Sequence, residues 1–320
     1  AIPDYFVHKF LQSHREPPEQ IVLDFDATDD PLHGRRQGRF FHGYYDCYCY
    51  LPLYVFCGDY LLCAKLRSSN IDASAGTTEE LQRIVELIRS KWPDVRIIVR
   101  GDSGFCRDDI MSWCEDNGVD YLFGMAGNIR LRGKIAKELA KAKQAFQESH
   151  QPQRIFKDFT YRTRKSWSRR RRAIGKAEYL SRGENPRFVV TSIPKEEMSA
   201  RDVYEQMYCA RGDMENRIKE QQLYLFADRT SSFTMEANQL RLWFSSVAYV
   251  IMNELREKAL QGTEFAKATC ETIRLKLLKI GAQVNISVRR VHVRLTSGYP
   301  YQQTFYKILS NLKRAYPQLC

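Results

Sequence analysis

The chain has 320 residues, 43% of them hydrophobic, which is enough for one large core or for two domains. Its 50 Lys and Arg residues exceed its 38 Asp and Glu residues by 12, and this basic balance favours a polyanionic partner, nucleic acid before an anionic membrane surface. The longest apolar run, 247–252, is too short to span a bilayer, and the first residues lack the pattern of a secretory signal. We therefore expect a cytoplasmic protein.

The first predicted element is a strand in the stretch IVLDFDATDD. Ile21, Leu23 and Phe25 alternate with neighbours that include Asp24 and Asp26, so one strand face carries two carboxylates. A buried carboxylate needs a partner, because an isolated charge inside a protein costs several kcal/mol or more. An arginine would be a structural partner, and a divalent metal would be a functional one.

The following stretches predict further strands and helices of one sheet. YYDCYCYLPLYVFCGDYLLCAKL predicts two strands joined at Gly58-Asp59, and a helix over 77–91 is expected to open with a capping box of Thr77 and Glu80. DVRIIVR predicts a strand, CRDDIMSWCEDNG a helix that ends at Gly118, and VDYLFGMAG a fifth strand. Three strands, helix, strand, helix and strand indicate a mixed α/β sheet.

The second half of the chain changes character after residue 127. Residues 134–147 predict a polar helix, and 153–193 predict several short strands that resemble an inserted β-structure. Residues 151–182 carry eleven Lys and Arg residues but two acidic ones, with Tyr161 and Trp167 between the cations. Helices are predicted over 200–226 and 235–260, followed by another helix, a strand with the sequence QVNISVRRVHVRL, and a closing helix.

The cysteines predict neither a disulfide framework nor a zinc site. They number nine, an odd count, and no CxxC pair occurs among positions 47, 49, 57, 63, 106, 114, 209, 270 and 320. His33 and His42 lie only loosely near the first two of them. Reduced, buried thiols are the interpretation that fits this pattern.

Two further acidic positions draw attention. Asp102 follows a strand in IIVRGDSGF, and ligand sites of open α/β sheets gather at strand ends; the alternative is that Asp102 or Ser103 only caps the next helix. Glu215 shares a helical stripe with Tyr208, Arg211, Lys219 and Gln222, and the alternative there is a surface ladder of charge pairs. Within that helix, the residue Gly212 suggests that another group approaches the backbone closely.

Taken together, LDFDAT, RGDSGF and the pattern Y-x2-R-x3-E resemble the DDE transposases of bacterial insertion sequences, most closely the group described as transposase DDE domain, group 1. The stretches DATDDPLHGRRQGRFFHGYYDCYCYLPLY and YLFGMAGN share this likeness, which runs from Ile21 to the last helices. It implies an α/β fold with a ribonuclease H-like mixed sheet flanked by helices, a β-rich insertion and a mainly helical C-terminal region. The expected boundaries are 1–127 and 199–262 for the catalytic core, 128–198 for the basic insertion, and 263–320 for the last region.

The resemblance also implies site residues and a cofactor. Asp26, Asp102 and Glu215 would be the catalytic residues and would hold two Mg²⁺ ions, for which Mn²⁺ could substitute. Asp24 shares a strand face with Asp26 and is the alternative for the first position. The lysine of the family pattern falls on Gln222, and Lys219, one turn earlier on the same helical stripe, is the expected replacement.

The expected partner is DNA, both the transposon ends and the target. Tyr208, Arg211 and Lys219 would hold DNA beside the metals. The expected backbone and base contacts of the basic segment are Arg162, Arg164, Lys165, Trp167, Arg169, Arg170, Arg171 and Arg172. A homodimer on paired DNA ends, no membrane partner, and a nucleoid-associated location in the bacterial cytoplasm complete these expectations.

The implied activity is metal-dependent cleavage at transposon ends and strand transfer to target DNA. The alternatives are a ribonuclease H-fold nuclease without strand transfer and a DNA-binding protein with a decayed site. In relatives a further DNA-binding region precedes the first aspartate, whereas 25 residues precede Asp26, so such a region is either missing or part of a longer chain.

Overall fold

The computed structural model describes residues 2–317, so Cys320 lies outside the described part. The strands are β1 Gln20–Ala27, β2 Asp30–Pro31, β3 Phe40–His42, β4 Cys47–Tyr50, β5 Leu53–Cys57, β6 Tyr60–Lys65, β7 Arg96–Gly101, β8 Asp120–Met125, β9 Gln153–Tyr161, β10 Arg171–Leu180, β11 Gly183–Glu184, β12 Arg187–Thr191, β13 Ala282–Ile286 and β14 Val291–Leu295. The α-helices are α1 Ile2–Ser13, α2 Thr77–Lys91, α3 Asp108–Asp116, α4 Ile129–Lys134, α5 Ala136–Ser149, α6 Ala200–Asp202, α7 Gly212–Lys219, α8 Met235–Lys258, α9 Cys270–Ile273 and α10 Gln302–Ala315.

The centre of the protein is a sheet in the order β6-β5-β1-β7-β8. β1 runs parallel to β7, which runs parallel to β8, while β5 lies antiparallel to both β1 and β6. If these five strands are numbered in chain order, they lie side by side as 3-2-1-4-5, and strand 2, which is β5, is antiparallel to both of its neighbours. This is the ribonuclease H-like arrangement, which confirms the predicted fold class.

The strands of 128–198 continue this sheet. β12 pairs antiparallel with β8, and β10 pairs with β12, β9 and β11. α5 packs on β9 and β10. The strands of 128–198 are therefore hydrogen-bonded to the central sheet through β12. The domain boundaries remain predictions.

Two apolar clusters pack on the two faces of the sheet. Leu23 and Phe25 of β1 face a cluster that includes side chains of α1, α2 and α3. Tyr54 and Phe56 of β5 face the other cluster, which includes Leu242 and other side chains of α8. Asp24 and Asp26 pair in register with Phe56 and Tyr54, so the two carboxylates belong to the α8 side of the sheet. Cys47, Cys49, Cys57, Cys63, Cys106, Cys114, Cys209 and Cys270 are all free within the described part of the chain.

The helical segment from Ala200 to Tyr224 is irregular. α6 continues into a π-helical stretch, Val203–Tyr208, then a 3₁₀ turn, Cys209–Arg211, and α7, and a second π-helical stretch, Glu220–Tyr224, closes the segment. π-Helical turns shift the side-chain stripes and are frequent at functional sites.

Of the helices within residues 2–317, none combines the length and the apolar character that a membrane span requires.

Three predicted details are wrong. α2 spans the predicted residues, but its N-cap is Gly76 without a side-chain cap, because Glu80 contacts Lys65 and Arg83 instead of closing a capping box with Thr77. The stretch 44–66 contains three strands, since β4 leaves the central sheet to pair with β2 and β3. The strand predicted over 283–295 is a hairpin of β13 and β14.

Candidate active site

One of the two carboxylates on β1 has an arginine as its partner. The Arg100 guanidinium donates to Oδ1 of Asp24 at 2.5 Å from Nε and to Oδ2 at 2.7 Å from Nη2, and both side chains are buried. Arg100 is the register neighbour of Asp24 on β7, so the sheet itself aligns this pair. Arg100 also donates to the carbonyl of Met207, which ties the irregular helical segment to the sheet.

Asp26 lies two residues further along the same strand face and has a different environment. Its side chain retains 17% exposure, and its Oδ1 accepts a hydrogen bond from the amide of Ala27 at 3.0 Å. Burial raises the pKa of Asp26 to about 7 against the opposing effect of Arg211, and the Asp102 and Glu215 charges add to the increase. Asp26 is therefore a carboxylate with an incomplete counter-charge beside two other carboxylates.

Asp102 follows the end of β7. Its Oδ1 accepts a hydrogen bond from the Gly104 amide at 2.8 Å and so caps a short 3₁₀ turn, Ser103–Phe105. Asp102 therefore caps this turn and not the next helix, because α3 begins only at Asp108 and has Arg107 as its N-cap without a side-chain cap. The contact uses one carboxylate oxygen of Asp102. Asp102 is half-buried and lines the same pocket as Asp26.

Glu215 and Arg211 reach this pocket from α7 and the preceding turn. Nη2 of Arg211 lies 3.0 Å from Oε1 of Glu215, whose side chain is 49% exposed. Nη1 of Arg211 lies 3.6 Å from Oδ2 of Asp26 and has no hydrogen-bond partner among the described residues. The arginine therefore stands between two of the three predicted catalytic carboxylates.

The pocket that unites these side chains has a volume of about 540 Å³ and opens at the strand ends. Its lining includes Asp26, Ala27, Thr28, His42, Tyr44, Tyr45, Leu51, Ala73, Asp102, Ser103, Gly104, Phe105, Arg211, Glu215, Ile218, Lys219 and Gln222. A separate apolar cavity of about 270 Å³ lies between α1 and α8, and its lining contains none of the predicted catalytic residues.

The pocket has the donor chemistry of a site for a hard divalent cation, which prefers carboxylate oxygens. No three His, Cys, Asp or Glu side chains within residues 2–317 are grouped closely enough to hold a metal ion as they stand. Arg211 explains this spacing in part, because it contacts both Asp26 and Glu215. Asp26, Asp102 and Glu215 therefore fit a metal in type and location, provided that Arg211 gives up its contact with Glu215.

Asp30, which the sequence analysis did not single out, is fully buried behind the pocket. Gln222 donates from Nε2 to Oδ1 of Asp30 at 2.9 Å, whereas Oδ2 has no hydrogen-bond partner among the described residues. Burial raises the pKa of Asp30 to about 7, while the Gln222 hydrogen bond lowers it. Gln222, which stands where the family pattern has a lysine, thus contacts a buried carboxyl group. Lys219, the expected replacement, lies exposed in the pocket.

A close backbone approach occurs at Gly124, not at Gly212. A Cβ atom on Gly212 would meet no atom within 4 Å, so the expected approach to that backbone is wrong. A Cβ atom on Gly124 in β8 would instead clash with the hydroxyl of Tyr208 and lie 3.1 Å from the amide nitrogen of Ser103. Tyr208 therefore packs against the strand next to Asp102, and only glycine leaves room for it.

Tyr45 is a second aromatic side chain that the sequence analysis did not assign. Its hydroxyl donates to the carbonyl of Ala27 at 3.1 Å, next to Asp26. Burial raises the pKa of Tyr45, and the charges of Asp26 and Asp102 raise it further. Tyr45 is the second of two consecutive tyrosines after Gly43, and such a stretch has no helical or strand periodicity from which its place beside Asp26 could be predicted.

The basic segment separates into buried and exposed side chains. Arg171 is buried and pairs with Asp108 at 2.6 Å and Glu115 at 2.7 Å, and Trp167 is buried against Tyr161. Arg172 pairs with Asp158, and Arg169 with Glu115. The exposed cations are Arg162, Arg164, Lys165, Arg169 and Arg170. In this structure Trp167 and Arg171 are therefore part of the buried interface between β10 and α3.

Comparisons with known proteins give a family. The cryo-EM structure of a piggyBac transposase synaptic complex with hairpin DNA is similar to the chain with a TM-score of 0.46 and 11% identity, over 82% of this chain and 52% of that one, so the chain spans about half the length of that protein. No curated protein matches the chain. The family model of the transposase DDE domain, group 1, matches residues 1–317, and the chain belongs to this family.

Proposed function

We propose that the chain is a DNA transposase that cleaves DNA at transposon ends and joins the freed ends to target DNA. The observation that carries the proposal is the convergence of Asp26, Asp102 and Glu215 on one pocket, although 76 positions (102 − 26) and 113 positions (215 − 102) separate them. Phosphoryl transfer requires positioning and charge stabilisation more than covalent chemistry, and carboxylates with bound cations provide both.

In the proposed mechanism, Asp26, Asp102 and Glu215 would hold Mg²⁺ or Mn²⁺ through their carboxylate oxygens. A pair of such ions would supply the charge that activates the attacking oxygen and stabilises the leaving oxygen of a phosphodiester. Arg211 exchanges its contact with Glu215 for a DNA phosphate, and Lys219 at the pocket wall neutralises a neighbouring phosphate. Tyr208 keeps its place against Gly124 and limits how closely the DNA backbone approaches Asp102.

The exposed cations of the basic segment extend the proposed DNA surface. The exposed loop between β9 and β10 carries Arg162, Arg164, Lys165, Arg169 and Arg170. Contacts from arginine and lysine to phosphates release counterions, so binding should weaken steeply with salt. Trp167 and Arg171 would support this surface from below, because they are buried. Such a protein would act on DNA in the bacterial cytoplasm, and a homodimer would hold two DNA ends.

Cleavage of DNA that carries the element's own ends tests the proposal. The wild type should cut these ends with Mg²⁺ or Mn²⁺ but not with EDTA, and Asp102→Ala should bind the same DNA without cutting it. Joining of cut ends to a target plasmid separates a transposase from a nuclease on the same fold. Cutting by Asp102→Ala at the wild-type rate would contradict the proposed site, and a wild type that binds but never cuts would favour a decayed enzyme.

A further inference from the structure

The hairpin of β13 and β14 has one wholly apolar face and one polar face. The cross-strand pairs Ala282–Leu295, Val284–Val293 and Ile286–Val291 alternate with the pairs Gln283–Arg294 and Asn285–His292. Directly paired residues of antiparallel strands lie on the same side, so the three aliphatic pairs form one continuous surface. This surface is called the apolar face below.

Nothing in the described part of the chain covers the apolar face. The exposed fractions are 54% for Val284, 79% for Ile286, 63% for Val291, 57% for Val293 and 41% for Leu295. The two strands form a separate sheet without a third strand. An isolated two-stranded hairpin is marginally stable in water at best, and a continuous exposed apolar patch usually marks an interaction site.

The hairpin is nevertheless held in a defined direction. At its base the amide of Thr296 donates to the carbonyl of Gly281 at 3.1 Å, and the hydroxyl of Tyr299 donates to the carbonyl of Lys276 at 2.6 Å. At its tip the amide of Ser287 donates to the carbonyl of Arg290 at 2.8 Å. The apolar face is therefore presented by a closed and anchored ribbon.

We propose that the apolar face binds the same face of a second copy of this chain. Two aliphatic sheet surfaces pack face to face with interdigitating side chains, about 10 Å apart, as the two layers of a sandwich do. A two-fold axis needs one self-complementary patch, and this face supplies it, because each pair places similar aliphatic side chains opposite one another. DNA is not the occupant of this face, since it offers no donor to a phosphate.

The charges of the hairpin agree with this partner. Two copies with a net charge of +12 each repel one another, and the apolar face adds no charge to that repulsion. Residues 282–295 contain no acidic residue, and the arginines Arg289, Arg290 and Arg294 lie at the tip or on the polar face. Two copies can thus join their apolar faces while their cations point away from the contact and remain free for DNA.

The apolar face would be the contact surface of the homodimer in the proposed function. Only the role of this contact, and not its formation, rests on that proposed function. Such small faces bury less than a standard interface of about 1,600 Å², so the dimer should be weak in free solution. Two copies bound to one DNA molecule would raise each other's effective concentration, and the same contact would then hold the paired ends together.

Adjacent residues on opposite faces of β14 provide a matched test. Sedimentation equilibrium of the full chain without DNA should show a monomer–dimer equilibrium that Val293→Asp weakens by more than about tenfold, because burial of an unpaired carboxylate is costly. His292→Asp adds the same charge on the polar face and should leave the equilibrium within about twofold of wild type. A wild type that is monomeric throughout, or equal effects of the two variants, would overturn the inference.

A mixing experiment identifies the partner as a second copy. Val293→Asp and Val293→Lys should each associate less than wild type alone and should associate when mixed, because Val293 belongs to the central pair of the face and the opposed charges then lie close to one another across the contact. Failure of the mixture to associate would exclude the second copy as the occupant. Thermal unfolding should show both variants folded, since Val293 is exposed in the single chain. These measurements contain no DNA, so their failure would leave the proposed cleavage activity untouched, and loss of cleavage would not alter them.

Discussion

The Arg211 guanidinium approaches the Asp26 carboxylate to 3.6 Å without donating a hydrogen bond to it. The same arginine is hydrogen-bonded to Glu215, so one cation serves two carboxylates that a bound metal would otherwise share. This relationship explains how a pocket with several acidic groups is stable before metal and DNA arrive. For the proposed function, it also implies that metal binding and DNA binding would support each other, because a phosphate would draw Arg211 away from the carboxylates.

The pH dependence of metal binding follows from Asp26. Its raised pKa, about 7, means that the group is largely protonated below that pH and must lose the proton before it can serve as a ligand. Mn²⁺ affinity measured by calorimetry should therefore increase between about pH 6 and about pH 8, with proton release on binding. Glu215→Gln should weaken the binding, whereas Asp213→Asn, a charge change on the same helix outside the pocket lining, should not. Equal losses in the two variants would argue against Glu215 as a ligand.

Asp24 should behave as a structural residue. Removing one partner of a buried ion pair leaves the other charge unpaired and costs about 3–5 kcal/mol, so Asp24→Asn should lower the free energy of unfolding by that order. Asp26→Asn should not destabilise the protein at neutral pH, since the burial of its carboxylate is poorly compensated. Urea unfolding of both variants measures the difference. A stable Asp24→Asn protein that has lost Mn²⁺ binding would instead make Asp24 the metal ligand.

Asp30 and Gln222 predict a second pH effect, on stability. A carboxyl group whose folded-state pKa is raised to about 7 stabilises the fold at low pH, and this contribution is lost as pH rises from about 4 through 7. Gln222→Lys would place a cation beside Asp30 and lower its pKa. The variant should therefore lose less stability than wild type between about pH 5.5 and about pH 8, by up to about 2 kcal/mol, because the wild-type loss ends near the pKa of about 7 and each pH unit below it is worth about 1.4 kcal/mol.

Lys219→Gln is the matched control for Gln222→Lys, because Lys219 is exposed, whereas Gln222 is the residue that donates a hydrogen bond to Asp30. Urea unfolding at the two pH values measures the difference. Identical pH profiles for wild type and Gln222→Lys would show that Asp30 does not titrate in this range.

Two glycine-to-alanine variants test the packing of Tyr208. Gly212→Ala should stabilise the protein by up to about 1 kcal/mol, because the residue is helical and its new methyl group meets no other atom. Gly124→Ala should destabilise it by about 1–3 kcal/mol, because the methyl group displaces the Tyr208 hydroxyl. Thermal unfolding provides both values. Gly124→Ala should in addition reduce DNA cleavage, and full activity of this variant would show that the position of Tyr208 is unimportant.

Local patterns in the sequence predicted much of the fold. Alternation on β1 identified both its core face and the face that carries Asp24 and Asp26, and the position of Asp102 after β7 followed from the strand end. The span of α2 was predicted correctly, although the capping box that was expected to open this helix does not form. Such signals depend on neighbours in the chain, which is why they can be recognised in one sequence.

Contacts between distant residues could not be predicted in this way. Nothing near Asp24 indicates that Arg100, 76 positions away, is its partner, or that Arg171 is neutralised by acids of α3. The π-helical stretches depend on tertiary packing that no local pattern records. The hairpin did leave a signal, because the apolar alternation changes phase between Val288 and Val291, as it does at a turn.

Anomalous scattering from crystals grown with Mn²⁺ is the most direct test of the proposed metal site. We expect a peak about 2.1 Å from carboxylate oxygens of Asp26 and of Asp102 or Glu215, with Arg211 turned away from Glu215. A Mn²⁺ peak elsewhere, with Arg211 still bridging Asp26 and Glu215, would contradict it.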